Sequence, residues 1–139
     1  MTVVLDTNVL VPALNARHRF SCIVDAWVVG RYLLTVSTDI IFEYEEVVTC
    51  MLGRGRWLKF GRLMDVVAAT KGNLVRVANY FQFHTIPIDR DDDKFAGCAI
   101  HAHAKHVVTE DRHFRTLAGT GYKPQPIKAD EFIRRYLSP

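Results

Sequence analysis

The chain has 139 residues, 49% of them hydrophobic, enough for one domain to bury a sizeable core without disulfides or a structural metal. Lys and Arg number 18 against 15 Asp and Glu, and the net charge of +3 tolerates a polyanionic partner without demanding one. Cys22, Cys50 and Cys98 are widely spaced and form no C-x-x-C pair, which indicates a reduced protein with cysteines as core fillers, and no apolar run is long enough to span a membrane.

Asp6 and Asn8 interrupt the apolar N-terminus, and no basic region precedes it, so it does not read as a signal peptide and a cytoplasmic location is expected. The β-branched run at residues 2–5 has the continuous apolar character of a central parallel strand and ends in Asp6. A helix is expected over 20–29 and a strand over 32–36. The next helix, 38–51, is capped by Ser37 or Thr38 and carries Ile40, Ile41, Tyr44, Val47, Val48 and Met51 as one stripe, with Phe42 opposite. Another is expected over 57–69, with Gly53, Gly55 and Gly72 as stops, then a strand over 73–78. The remaining elements are a helix over 92–104, a strand over 106–109, a short edge strand over 125–128 and a helix over 129–137. Strands alternating with helices predict an α/β sandwich on a parallel sheet, whose ligand site lies beyond the carboxyl ends of the strands.

That rule brings Asp6 and Asp111 to one crevice, since each follows a strand. Asp91, Asp92 and Asp93 open a helix, where carboxylates favour the free N–H groups, but capping needs one acid and not three. Singly, each acid suits a cap or turn. Jointly, converging carboxylates repel unless a cation neutralises them, and hard oxygen ligands select Mg²⁺ or Mn²⁺. Such an ion acidifies a water and stabilises a leaving oxygen, so phosphodiester hydrolysis is the leading chemistry. The helix over 38–51 offers a fourth acid from Glu43 or Glu45, which flank its stripe, while Glu46 points away.

Four segments then carry a resemblance: Asp6-Thr7-Asn8-Val9-Leu10, the stretch from Ser37 through Glu43 to Tyr44, Asp91-Asp92-Asp93 running on to Ala99, and Val108-Thr109-Glu110-Asp111. Together they resemble the PIN domain, and within it the VapC-like toxins of toxin–antitoxin pairs. The resemblance implies a single PIN domain over 1–139, a three-layer sandwich with about five parallel strands. It implies Asp6, Glu43, Asp93 and Asp111 as catalytic acids holding one or two Mg²⁺ or Mn²⁺ ions, with Asp92 as an extra ligand, and it favours Glu43 over Glu45. Asn8 and Thr109 become hydrogen-bonding supports of the acids. Where many relatives carry a further acid, two residues past the last Asp, this chain has His113. The implied function is endoribonuclease cleavage of RNA, leaving 5′-phosphate and 3′-hydroxyl ends, by a toxin that forms homodimers and is blocked by an antitoxin protein. The alternatives are a non-catalytic PIN-like module that binds RNA or protein, and a DNA nuclease of flap type.

Arg54, Arg56, Lys59 and Arg62 lie between two expected helices and suit a phosphate-tracking surface, or simply a solvated edge. Arg112 and Arg115, beside Asp111, suit bidentate phosphate contact. Cys98, His101, His103 and His106 invite zinc, but the histidines diverge on a helix and no second pair completes a tetrahedron, so exposed histidines are expected. Trp57 and Phe60 are expected to pack between helices, with Phe42 and the cluster of Tyr80, Phe81 and Phe83 available to an interface.

Overall fold

Four consecutive residues with branched or bulky apolar side chains, Thr2–Leu5, form β1, and Val3, Val4 and Leu5 have almost no solvent exposure. A strand buried on both faces belongs in mid-sheet, and β1 is the centre of five parallel strands in the order β3-β2-β1-β4-β5. The others are β2 (Leu33–Ser37), β3 (Leu74–Val77), β4 (His106–Val108) and β5 (Gln125–Ile127). The computed structural model describes residues 1–78, 93–117 and 123–138. Asp91, Asp92, Tyr80, Phe81 and Phe83 lie outside the described residues, as do the side chains of Asp93 and Arg115.

Among the described residues, six helices flank the sheet in the three-layer α/β arrangement: α1 (Thr7–Ala13), α2 (Ser21–Val28), α3 (Thr38–Leu52), α4 (Arg54–Thr70), α5 (Asp93–His101) and α6 (Ala129–Phe132), the last running on as a π turn over Ile133–Leu137. None of the described helices is long and apolar enough to cross a membrane. The register pairs Leu5 with Val108, and the Asp6 amide continues the ladder by donating to the Val108 carbonyl at 2.9 Å. The chain therefore leaves β1 and β4 side by side, the topological condition for a site at that edge.

Several expectations are corrected. No helix was expected at α1; the helix is seven residues long, and Pro12 falls in its last turn, where it removes one donor from the hydrogen-bond ladder. Gly55 stops nothing. It lies inside α4, which starts at Arg54 rather than Trp57, so Arg54 and Arg56 are helical residues and not part of a connection. The break belongs to Gly53 alone, whose φ of 94° turns the chain from α3 into α4 without a loop. On α3 the Ser37 hydroxyl accepts from the Ile40 amide at 3.2 Å as the cap, and Ile40, Tyr44 and Val48 are the buried stripe, whereas Met51 is exposed.

α5 ends three residues earlier than expected. His103 takes a left-handed φ of 55°, with the Ala104 amide donating to Ala99 and the His103 amide to Ile100, a Schellman stop built on a histidine. His101 and His103 are exposed, but His106 is buried, its Nδ1 against the Gln125 carbonyl at 3.0 Å and its Nε2 against the Tyr136 hydroxyl at 2.8 Å. Cys98 is the one cysteine in the core, and burial pushes its thiol up to about 12; Cys50 is exposed and Cys22 intermediate. Phe60 does pack between helices, its ring centroid 6.1 Å from Trp27 of α2 and 6.5 Å from Tyr44 of α3, and Trp57, also buried, lies 6.3 Å from it on the same helix.

Candidate metal centre at the carboxyl edge of the sheet

Asp6 is the first residue after β1 and the N-cap of α1, a position where an Asp ordinarily bonds the free amides of the first turn. Here it makes no capping hydrogen bond. Its carboxylate is only 4% exposed, and Oδ2 instead accepts from the Thr109 hydroxyl at 2.7 Å. Burial dominates its titration and raises the carboxyl from 3.8 to about 6; the Thr109 hydrogen bond lowers it, the charge of Glu43 raises it further, and the nearby amides of Asn8 and Thr7 lower it without closing a cap.

Glu43 reaches the same edge from α3. The next residue, Tyr44, is fully buried and donates its hydroxyl to the Leu5 carbonyl, pinning this turn of the helix to the end of β1. Glu43 Oε2 accepts from the Thr7 hydroxyl, and Oε1 accepts from the Lys94 ammonium at 2.8 Å. The first turns of α1 and α5 thus meet on one carboxylate of α3.

From the β4 side, Thr109 works in both directions. Its hydroxyl hydrogen goes to Asp6, and its oxygen accepts from the Asp111 amide at 3.0 Å. The Asp111 Oδ1 accepts from the His113 amide at 2.9 Å and lies 3.3 Å from His113 Nδ1. Asn8 supports this edge through the backbone, its Oδ1 accepting from the Glu110 amide at 3.2 Å. Asp93 opens α5 beside Lys94, its side chain outside the described set along with Asp92. Among the described residues, no three His, Cys, Asp or Glu side chains form a group that could hold an ion.

The basic residues divide. Arg56, Lys59 and Arg62 line a cleft of about 510 Å³ near the far end of α1, together with Leu14, Val24 and Phe60, and none of the acids Asp6, Glu43 and Asp111 lines it. Arg56 also donates to the Leu14 carbonyl at 2.7 Å. Arg54 lies on the same helix but is not among the lining residues. Arg112 lines a second cleft, of about 250 Å³, with Thr109, Asp111 and Lys128. Thr7, Lys94 and Lys128 escaped the sequence reading: Thr7 and Lys94 sit directly beside the acids Asp6 and Asp93, whereas Lys128 carries no local signal.

Thr109→Val tests this wiring, because valine keeps the shape and removes the hydroxyl. Two partners, the buried Asp6 carboxylate and the part-buried Asp111 amide, lose that hydroxyl, at an expected cost of about 1–3 kcal/mol. Chemical denaturation should show that loss, and Thr109→Ser should recover most of it.

The PIN-domain family profile matches residues 2–113, and the protein belongs to the PIN-domain family. It is similar in fold to the solved VapBC2 of Rickettsia felis, a complex bound to a DNA fragment from its promoter, with TM-score 0.59 and 14% identity over 92% of this chain and 98% of that one. It is likewise similar to VapC20 of Mycobacterium tuberculosis, a toxin that cleaves the sarcin–ricin loop, with TM-score 0.52 and 9% identity over 86% of this chain and 95% of that one. No curated protein sequence matches it.

Proposed function

We propose that this protein is a Mg²⁺- or Mn²⁺-dependent endoribonuclease, the toxin of a toxin–antitoxin pair, with its site at the carboxyl ends of β1 and β4. Membership of the PIN family and the likeness to VapC folds support a nuclease of this kind. The observation that carries the reading is Asp6, a carboxylate only 4% exposed at the end of β1 that feels the charge of Glu43. Hard carboxylate oxygens under mutual repulsion, as at Asp6 and Glu43, are the donor chemistry that a small divalent cation relieves. Asp6, Glu43, Asp93 and Asp111 are its proposed ligands, with Asp92 as a possible fifth.

A bound ion supplies a more acidic water and charge stabilisation for the scissile phosphate. The chain supplies the rest. Thr109 holds the rotamer of Asp6 and couples it to the turn carrying Asp111, while Thr7 holds Glu43 toward the same edge. Burial of Asp6 keeps bulk water from screening the charges there. Arg112 and Lys128 line a cleft with Asp111 and are placed to receive a phosphate next to the one being cut. The whole chain is proposed as one PIN domain, since β5 pairs with β4 beyond the family match.

The proposed location is cytoplasmic. The cleft beside α4, apolar below and rimmed by Arg56, Lys59 and Arg62, suits an antitoxin segment with apolar and acidic side chains. Exposed Phe42 on α3 suits a homodimer. Incubating the purified protein with RNA and with branched DNA, in Mn²⁺ and in EDTA, tests the activity. RNA cleavage in Mn²⁺ alone is expected; no cleavage of either substrate in either condition overturns the enzyme reading, and cutting confined to branched DNA overturns the RNA assignment.

A further inference from the structure

Lys94 occupies the first turn of α5, and its ammonium lies 2.8 Å from Oε1 of Glu43, with the two side chains only 17% and 20% exposed. The next residues on each helix hold this pairing in register: Tyr44 and Phe95 are fully buried and face one another across α3 and α5 with ring centroids 6.5 Å apart. A lysine ordinarily keeps its head in water along an extended stem. Drawing it in beside a largely buried carboxylate is favourable only while that carboxylate has no better cation.

We propose, resting on the reading of this edge as a divalent-ion site, that Lys94 is a positioning residue that serves Glu43 as an internal counter-cation and competes with the divalent ion for it. The other oxygen of Glu43 is held by Thr7, so an arriving ion meets a carboxylate that is already oriented and already neutralised. Entry of the ion requires the ammonium to give up Glu43, because a monovalent and a divalent cation on one carboxylate repel strongly at these distances. Lys94 thereby weakens the resting affinity for metal and keeps the ion-free edge from destabilising the fold.

Calorimetric titration of the full-length protein with Mn²⁺ tests this. Lys94→Met is expected to bind Mn²⁺ about tenfold more tightly than wild type. Lys94→Arg, which keeps the charge, is expected to stay within about threefold of wild type. The metal-free melting temperature of Lys94→Met should fall below that of wild type, and saturating Mn²⁺ should close the gap. On a Glu43→Gln background, Lys94→Met should leave Mn²⁺ affinity unchanged, since the shared partner is gone. If Lys94→Met does not fold, Lys94→Gln makes the same comparison. Unchanged or weaker Mn²⁺ binding by the neutral variant overturns the counter-cation role while wild-type binding leaves the metal site standing; a wild type that binds no Mn²⁺ overturns both.

Discussion

Asp6→Asn is expected to abolish RNA cleavage while making the metal-free protein more stable, not less. The two effects share one cause. The Asp6 carboxyl is raised from 3.8 to about 6 chiefly by burial, so between those values the folded protein holds a proton that the unfolded chain has released. Stability of the metal-free protein therefore falls as pH rises from about 4 to about 6, and the full penalty, about 3 kcal/mol at most, remains above that window. Asparagine removes the charge and keeps an oxygen to accept from Thr109, although its amide hydrogens need partners at a buried position. A net gain of about 1–3 kcal/mol at pH 7.5 is expected, a rise of roughly 3–10 °C in melting temperature, with little gain at pH 4.

Divalent metal should invert that ranking. An ion that binds only the folded wild type adds about 2.7 kcal/mol at a hundredfold excess over its dissociation constant, whereas Asp6→Asn gains little because a ligand and its charge are missing. Loss of this one charged group is expected to slow cleavage by at least about 10²–10³-fold, the scale on which single preorganised electrostatic contacts act. Melting curves with Mn²⁺ and with EDTA across pH, beside a cleavage assay, give all three readings. A variant that melts below wild type in EDTA at pH 7.5 would show that Asp6 is a structural acceptor; one that still cleaves would remove it from the chemistry.

Much of the fold was legible because the strands are short, continuous and rich in branched apolar residues: all five lie within about a residue or two of where the sequence puts them, and their alternation with helices implies the parallel order. The failures have local reasons. α1 hides in an apolar run whose exposed face is one residue, Asn8, so no period survives. Gly55 looks like a stop only until Gly53 has made the turn two residues earlier. At the site, an Asp after a strand is visible in sequence, but the absence of a cap at Asp6 and the use of Thr109 as a two-way relay depend on partners 103 residues apart. The Lys94 to Glu43 contact spans 51 residues and has no local signature.

Trp27→Ala is expected to be the most damaging single change to the fold, and to leave the site's chemistry almost untouched. Trp27 on α2 is 1% exposed, packs its ring at 6.1 Å from Phe60 of α4, and donates its indole N–H to the Asn73 carbonyl at 3.0 Å. That carbonyl also accepts from the Leu34 amide, and the Asn73 side chain returns hydrogen bonds to the carbonyls of Trp27 and Tyr32. One residue thus ties α2 to the amino ends of β2 and β3, at the opposite end of the sheet from Asp6. Truncation leaves a cavity that the packed surroundings cannot fully close, at a cost of about 3–5 kcal/mol and roughly 10–20 °C in melting temperature. Trp27→Phe keeps most of the packing and loses the indole donor, and should cost less than half as much. Because the lesion is remote from the carboxyl edge, Mn²⁺ affinity measured below the new melting temperature should stay within about twofold of wild type. A large drop in that affinity would mean that the two ends of the sheet are coupled, and that the site depends on the packing of α2 rather than on the hydrogen bonds of Thr7, Thr109 and Tyr44.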